Sequence, residues 1–251
     1  MSYKRKKNYW RQDIRWTEYL RAVLLGILLV GMVSYLFYGT VLGAILLSPY
    51  LIRYMKSWEK QMIQKKKQAF QLQFKEAIEA LSAALNVGYS VENAMREAFQ
   101  DIRLLYRKEE LIVREFRYMV RQLDMNVTME HVLNGFAART EDEEVRTFVD
   151  VFSMAKRGGG DMIGIIRNAV YQIGEKIDGK REIELIMAAK KMEFQVMSVV
   201  PFAMICYIKL SFPEFVDVLY GNPLGICVMT ICLLIYIVSY EIGKRIVEVE
   251  V

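Results

Sequence analysis

The chain is 251 residues long, 54% hydrophobic and 25% charged, with a formal net charge of +5. Soluble domains are about 45–50% apolar, so this excess beside an ordinary charged fraction means that apolar residues and charges occupy different segments. A single histidine, His131, excludes a His-pair metal site, and Cys206, Cys227 and Cys232 lack the CxxC spacing of a zinc site and do not suggest a disulfide framework.

Residues 1–19 read as a basic segment at a membrane interface. Trp10, Trp16 and Tyr19 alternate there with Arg11, Arg15 and Arg21, the mixture of aromatic and cationic side chains that anchors a chain at headgroup level. An apolar tract then runs from Leu20 to Ile52 with only Arg21 as a charged interruption. One helix of that length, at ~1.5 Å per residue, far exceeds a hydrocarbon core of about 30 Å. A transmembrane hairpin over residues 20–55 fits better, with its turn near Tyr38-Gly39-Thr40. Lys4, Arg5, Lys6, Lys7, Arg11, Arg15 and Arg21 precede the tract, and Arg53, Lys56, Lys60, Lys65, Lys66 and Lys67 follow it. Positive flanks stay in the cytoplasm, which places both ends of the hairpin inside. A single tilted span is the rival, and it exports one of the two clusters. The tract is too long for a signal peptide and ends in Pro49-Tyr50 and further basic residues.

Residues 56–192 read as a cytoplasmic block of helices. Between residues 68 and 192 there are 18 Lys or Arg against 20 Asp or Glu, so the basic surplus is juxtamembrane and no basic stripe for nucleic acid is evident. Phe70, Phe74, Ala77, Ile78, Leu81, Ala84 and Leu85 share one face at helical spacing. Gly88 suits a left-handed cap and Ser90 an N-cap for the next helix, VENAMREAFQDI. A third stripe is Ile112, Phe116, Met119, Val120 and Leu123, ending near Asn126. Thr128 opens a fourth around Val132, Leu133, Phe136 and Ala137, and a fifth carries Val145, Phe148, Val149, Phe152 and Ala155. Gly158-Gly159-Gly160 closes it, and Asp161 caps a long sixth helix with Met162, Ile165, Ile166, Ala169, Val170, Ile173 and Ile177. Six stripes predict an all-α, six-helix bundle.

A second transmembrane pair occupies residues 193–243, as Phe194–Phe212 and Leu224–Gly243 around the loop PEFVDVLYGNP, and residues 244–251 form a tail. Lys180, Arg181, Lys190 and Lys191 precede this pair and Lys244 and Arg245 follow it, so both ends again stay inside. The predicted architecture is four spans with both termini cytoplasmic.

Several local signals are weak as chemistry. Arg157-Gly158-Gly159-Gly160 and Gly179-Lys180-Arg181 both lack the Gly-Lys-Ser/Thr spacing of a phosphate loop. The run Glu141-Asp142-Glu143-Glu144 sits where a helix N-terminus favours negative charge, with docking to a basic partner as the other option. No catalytic, metal or cofactor site is predicted.

The segments LSAALNVGYSVENAM (81–95), VREFRYMVRQLDMNVTMEHVLNGFAART (113–140) and VFSMAKRGGGDMIGIIRNAVYQIGEKIDGKRE (151–182) together resemble the F-domain family of type II secretion and pilus-assembly platforms. The positions that match the family motif are Gly88, Ser90, Glu115, Gly158, Gly159 and Gly160. Pro201 and the ending GKRIVEVEV look most like the TadB-type branch of tight-adherence (Flp) pili. Asn126 stands where the family often has glycine, and the single helical block is similar to the shorter TadB or TadC type, which implies a second F-domain subunit. The resemblance implies a non-enzymatic platform in the cytoplasmic membrane that oligomerises. Its expected partners are a hexameric cytoplasmic secretion ATPase, pilin subunits and membrane lipids, and no nucleic acid. The sixth helix, with Gly174 and Gly179 inside it, is the expected coupling element. A TadC-type partner subunit is the near alternative. A transporter or channel subunit is the distant one, which asks for ionisable residues at the bilayer midplane, whereas Lys209 and Glu241 lie toward the ends of the spans.

Overall fold

The computed structural model describes residue 10 and residues 16–39, 43–158, 161–212, 214, 220 and 222–247, with the backbone alone at 17, 43–48 and 223. The expectations for Gly159, Gly160 and Thr40, and for most of the basic leader, the 213–221 loop and the 248–251 tail, lie outside the described residues. Among the described residues every regular element is a helix. They are α1 (Trp16–Tyr38), α2 (Gly43–Val87), α3 (Val91–Leu105), α4 (Leu111–Asp124), α5 (Met129–Thr140), α6 (Glu143–Gly158), α7 (Met162–Ser211) and α8 (Pro223–Val247). The chain divides into two compact units. One comprises Met1–Asp13 and Ile63–Lys180, the other Ile14–Met62 and Arg181–Val251.

In the first unit the local stop signals work as their chemistry dictates. Gly88 takes φ +101°, a conformation open to glycine at little cost, and the Ser90 hydroxyl accepts from the Asn93 amide at 3.4 Å to start α3. Asn126 takes φ +63° after α4. Asp161 accepts the Gly164 amide at 2.8 Å and so caps α7. Thr128 precedes α5 in extended conformation but makes no side-chain cap bond.

Six helical segments, from the second half of α2 to the start of α7, contribute to one core. Its centre is aromatic. Phe70 stacks on Phe74 at 6.3 Å, and Phe136 lies 6.3 Å from Phe70, 6.1 Å from Phe74 and 6.4 Å from Phe116. Phe74 meets Phe148 edge-on at 6.0 Å. Each such ring, fully buried, contributes about 1.5–3 kcal/mol. Trp10 joins this group, 5.2 Å from Phe70 and edge-on, and its indole N–H donates to the Thr140 carbonyl at 3.0 Å. The interfacial anchor expected at Trp10 is therefore part of the helical unit instead. The Thr140 carbonyl at the end of α5 lacks an intrahelical donor, and the indole supplies one.

In the second unit α1 ends at Tyr38, and Gly39 follows at φ +65°. The start of α2 then returns along α1. Tyr19 meets Trp58 edge-on at 6.4 Å, and a Cβ on Gly26 stands 3.3 Å from the Tyr54 ring and 3.7 Å from the Leu51 side chain. The end of α7 pairs with α8 in the same antiparallel sense. Phe194 stacks on Tyr240 at 5.4 Å, Phe202 meets Tyr236 at 4.9 Å, and the Tyr236 hydroxyl donates to the Ser198 carbonyl at 2.8 Å.

Three helices are long and apolar enough to cross a bilayer: Glu18–Tyr38, Met162–Ser211 and Leu224–Val247. These helices mark a membrane protein that is all-helical among the described residues. Among the described residues α2 does not add a fourth such window. Its apolar start covers residues 43–52 before Arg53, about 15 Å at 1.5 Å per residue.

Candidate functional site

Two polar groupings stand out, one in each unit. In the first, the acidic run at the start of α6 is largely internal. Asp142 is buried, and its Oδ1 accepts from the Glu144 and Val145 amides at 3.0 and 3.4 Å. Its other oxygen accepts from Gln71 Nε2 at 3.0 Å and faces Lys67 Nζ at 3.6 Å. Glu144 has no exposed surface, and its Oε1 receives both Lys176 at 3.1 Å and Lys180 at 3.0 Å. Its Oε2 is buried without a hydrogen-bond partner. Glu143, on the surface, takes Lys176 at 3.2 Å.

The expected capping role thus holds for Asp142, while Glu143 and Glu144 bind α7. The lysines are one turn apart, so a single carboxylate reaches both. Hydrogen bonding from Lys176 holds the Glu143 carboxyl below its ordinary range, and the bond to Glu144 holds Lys176 above the usual lysine value.

Around this junction α2 is tied to α7 and to the α3–α4 turn. Lys75 pairs with Asp178 and, at 3.8 Å, with Glu79, and the bond to Asp178 raises the Lys75 pKa. The Tyr106 hydroxyl donates to Glu76 at 2.7 Å, and burial, then that bond, pushes its pKa up.

Glu115, a family-motif position, is buried. Arg139 donates to its Oε2 through Nη2 at 2.7 Å and Nε at 3.0 Å, and the guanidinium lies 4.6 Å from the centre of the Tyr118 ring. This is a tie between α4 and α5 with a charge-assisted geometry. The other sequence-predicted positions serve their own elements. Gly88 and Ser90 form the α2–α3 turn, Gly158 ends α6, and Pro201 is an exposed interior residue of α7. Gly174 is buried, a Cβ there meeting the Lys75 stem at 3.5 Å, whereas nothing lies within 4 Å of one on Gly179. His131 is exposed, as are Arg103, Arg107 and Arg114.

In the second unit the notable grouping is Arg53 with Glu241. The guanidinium donates through Nε and Nη2 to the two carboxylate oxygens, both at 2.8 Å, linking α2 to α8. Lys244 binds the Ser57 hydroxyl one turn further along. A cavity of about 270 Å³ beside the pair is lined by Tyr38, Pro49, Tyr50, Arg53, Thr230, Leu233, Leu234 and Ile237. Near the C-terminal end of α1, Lys209 donates to the Tyr35 carbonyl at 2.8 Å and sits 3.7 Å over the Tyr35 ring. The Tyr220 hydroxyl donates to the Leu36 carbonyl. Both bonds satisfy terminal carbonyls of α1.

Neither long-range grouping was legible as a site. Arg53 reads in sequence as one more juxtamembrane cation, and Glu241 is 188 residues away. The available signal was the i, i+4 pair Lys176 and Lys180 facing an acidic run. Among the described residues no group of three or more His, Cys, Asp or Glu is placed to hold a metal. Helices long and apolar enough to cross a membrane, with a helical unit tied by ion pairs, define the class, a helical membrane protein. No known protein family, curated protein or solved structure matches the chain.

Proposed function

We propose that this protein is a non-enzymatic platform of a pilus-assembly or type II secretion machine in the cytoplasmic membrane, of the TadB type. The observation that carries this reading is α7. It is one helix from Met162 to Ser211, whose first part contributes Ile166, Val170, Ile173 and Ile177 to the helical core and whose last part is apolar enough for a span. At 1.5 Å per residue its 50 residues measure about 75 Å. A hexameric cytoplasmic ATPase does work on pilins in the bilayer only through an element that reaches both, and α7 is suited to that task. The motif order Gly88, Ser90, Glu115, Gly158 to Pro201 supports the family placement.

In this reading residues 56–192 form a cytoplasmic six-helix domain between two membrane pairs, and both termini are cytoplasmic. The antiparallel packing of α2 on α1 supports a short fourth arm. A second F-domain subunit, pilins and lipid are its partners.

A transporter reading gains one observation, the Arg53–Glu241 pair beside an apolar arm. The two charges neutralise each other bidentately, and this favours a structural tie over a pathway.

The test is in-cell crosslinking of tagged protein followed by mild-detergent purification and mass spectrometry. Recovery of a secretion ATPase and a second F-domain protein, linked through residues 70–192, is the expected outcome. A transport component recovered in their place overturns the reading.

A further inference from the structure

We propose that the second unit holds one anionic phospholipid in the cleft between the start of α2 and α8, with an acyl chain along the cleft and the headgroup phosphate on Arg53. The cleft is the cavity of about 270 Å³, walled by Pro49, Tyr50, Leu233, Leu234 and Ile237. Its two ends differ in chemistry. At one, the Tyr38 hydroxyl and Thr230 Oγ1 lie 3.2 Å apart, and Thr230 donates to the Ile226 carbonyl at 2.7 Å, so these polar groups satisfy each other. At the other stands Arg53, a charge with donors to spare.

The length of the cleft fits an acyl chain. Thr230 and Glu241 mark its ends on α8, eleven residues apart, which is about 16 Å at ~1.5 Å per residue. One leaflet is about 15 Å deep, half of a ~30 Å hydrocarbon core, and α8 is itself long and apolar enough to cross that core. A peptide laid along the same walls leaves its backbone N–H and C=O groups without partners, whereas a hydrocarbon chain has none to satisfy.

The charges select the headgroup. A guanidinium carries five N–H donors in two usable edges. Glu241 occupies the Nε and Nη2 edge of Arg53, with both contacts at 2.8 Å. The edge formed by Nη1 and the second Nη2 hydrogen is left by that pair, and 61% of the Arg53 side chain is exposed. A phosphate accepts such an edge bidentately. Along Arg53–Lys60 and Glu241–Val247 five cations (Arg53, Lys56, Lys60, Lys244 and Arg245) stand against two carboxylates, so the headgroup that fits carries net negative charge. A bound lipid of this kind differs from the boundary lipid around any span in being one per chain and selected by charge. The site requires only that α8 crosses a bilayer, and it stands apart from the platform reading.

The experiment is native mass spectrometry of the full-length protein, delipidated in mild detergent and titrated with phosphatidylglycerol or with phosphatidylcholine of the same chain length. One phosphatidylglycerol per chain is expected to bind about tenfold more tightly than phosphatidylcholine. Ile237→Trp and Leu234→Trp put bulk into the cleft and are each expected to weaken that binding about tenfold. Leu24→Trp, at an exposed position of α1 outside the cleft, is expected to leave it unchanged. Glycerol phosphate, a headgroup without chains, is expected not to displace the lipid. Equal affinity for the two lipids, or none for either, reveals boundary lipid only and overturns the proposal, and this comparison on the wild type decides even where a tryptophan variant does not fold. Wild-type affinity in both folded tryptophan variants also overturns it. Displacement by glycerol phosphate makes the site one for free phosphate and overturns the lipid assignment.

Discussion

Glu144 is the residue on which the first helical unit concentrates most charge. It is fully buried, yet Lys176 and Lys180 keep 45% and 30% of their side-chain surface, so their ammonium groups retain water when the carboxylate is removed. The loss therefore falls below the 3–5 kcal/mol typical of breaking a fully buried pair. Glu144→Gln is expected to destabilise by about 1–3 kcal/mol, and Lys176→Gln or Lys180→Gln alone by under about 1 kcal/mol, because the other lysine remains. Thermal melts of the detergent-solubilised protein measure this, and a single-lysine variant as damaging as Glu144→Gln contradicts the shared-carboxylate account. The pH dependence has a definite sign. Lys176 is raised above 10.5, so its contribution is complete below 10.5 and lost as pH rises through the raised value. Glu143 is lowered from 4.5, so its contribution is complete above 4.5 and lost as pH falls through the lowered value. The advantage of wild type over Lys176→Gln should thus be flat from about pH 5 to 10 and shrink on either side.

At the scale of elements, α7 offers a contrast at one glycine. Nothing lies within 4 Å of a Cβ on Gly179, so alanine fits there and should gain up to about 1 kcal/mol in the helix interior. Proline at the same place removes the amide bond to the Glu175 carbonyl and clashes with it, at a cost of ~3 kcal/mol, without disturbing any packed neighbour. If α7 transmits work, Gly179→Pro abolishes fibre assembly while the protein still inserts, and Gly179→Ala leaves assembly intact. Normal fibres on the proline variant would sink the coupling role. Helices and their ends were legible from sequence because caps are local. Ser90 lies three residues from the amide it binds, as does Asp161, and Gly88 and Asn126 mark positive φ by their own chemistry. Partners distant in sequence were not legible. Arg139 lies 24 residues from Glu115, and Trp10 lies 130 from Thr140. An indole beside arginines suits a lipid interface as well as a seat on Phe70, so composition does not choose between them. The second half of the predicted N-terminal hairpin was legible as a turn at Gly39, but not as a helix that runs unbroken through Pro49 to Val87.

For the molecule as a whole, hydropathy and packing count the spans differently. Hydropathy rejects α2 because Arg53, Lys56, Glu59 and Lys60 follow its apolar start. Packing brings Trp58 back to Tyr19 near the beginning of α1, so α2 has by then retraced most of that helix. Arg53 precedes that return by five residues, and a level inside the apolar layer is tolerable for it because Glu241 accepts both of its N–H groups at 2.8 Å. The strength of this pair reports its surroundings. A pair in water couples by about 0.2–1 kcal/mol, whereas a lone charge left within a bilayer costs about 2.5–3.5 kcal/mol at the centre of a helix, less toward the interface. In a cycle of Arg53→Gln, Glu241→Gln and their double variant, measured by thermal unfolding in lipid nanodiscs, each single variant is expected to lower the melting temperature and the double variant to lower it by less than the two together. The exchange Arg53→Glu with Glu241→Arg should then recover most of the lost stability. A coupling near zero, with no rescue, would put Arg53 in water and leave α2 without a membrane arm, so that three spans place the two ends of the chain on opposite sides.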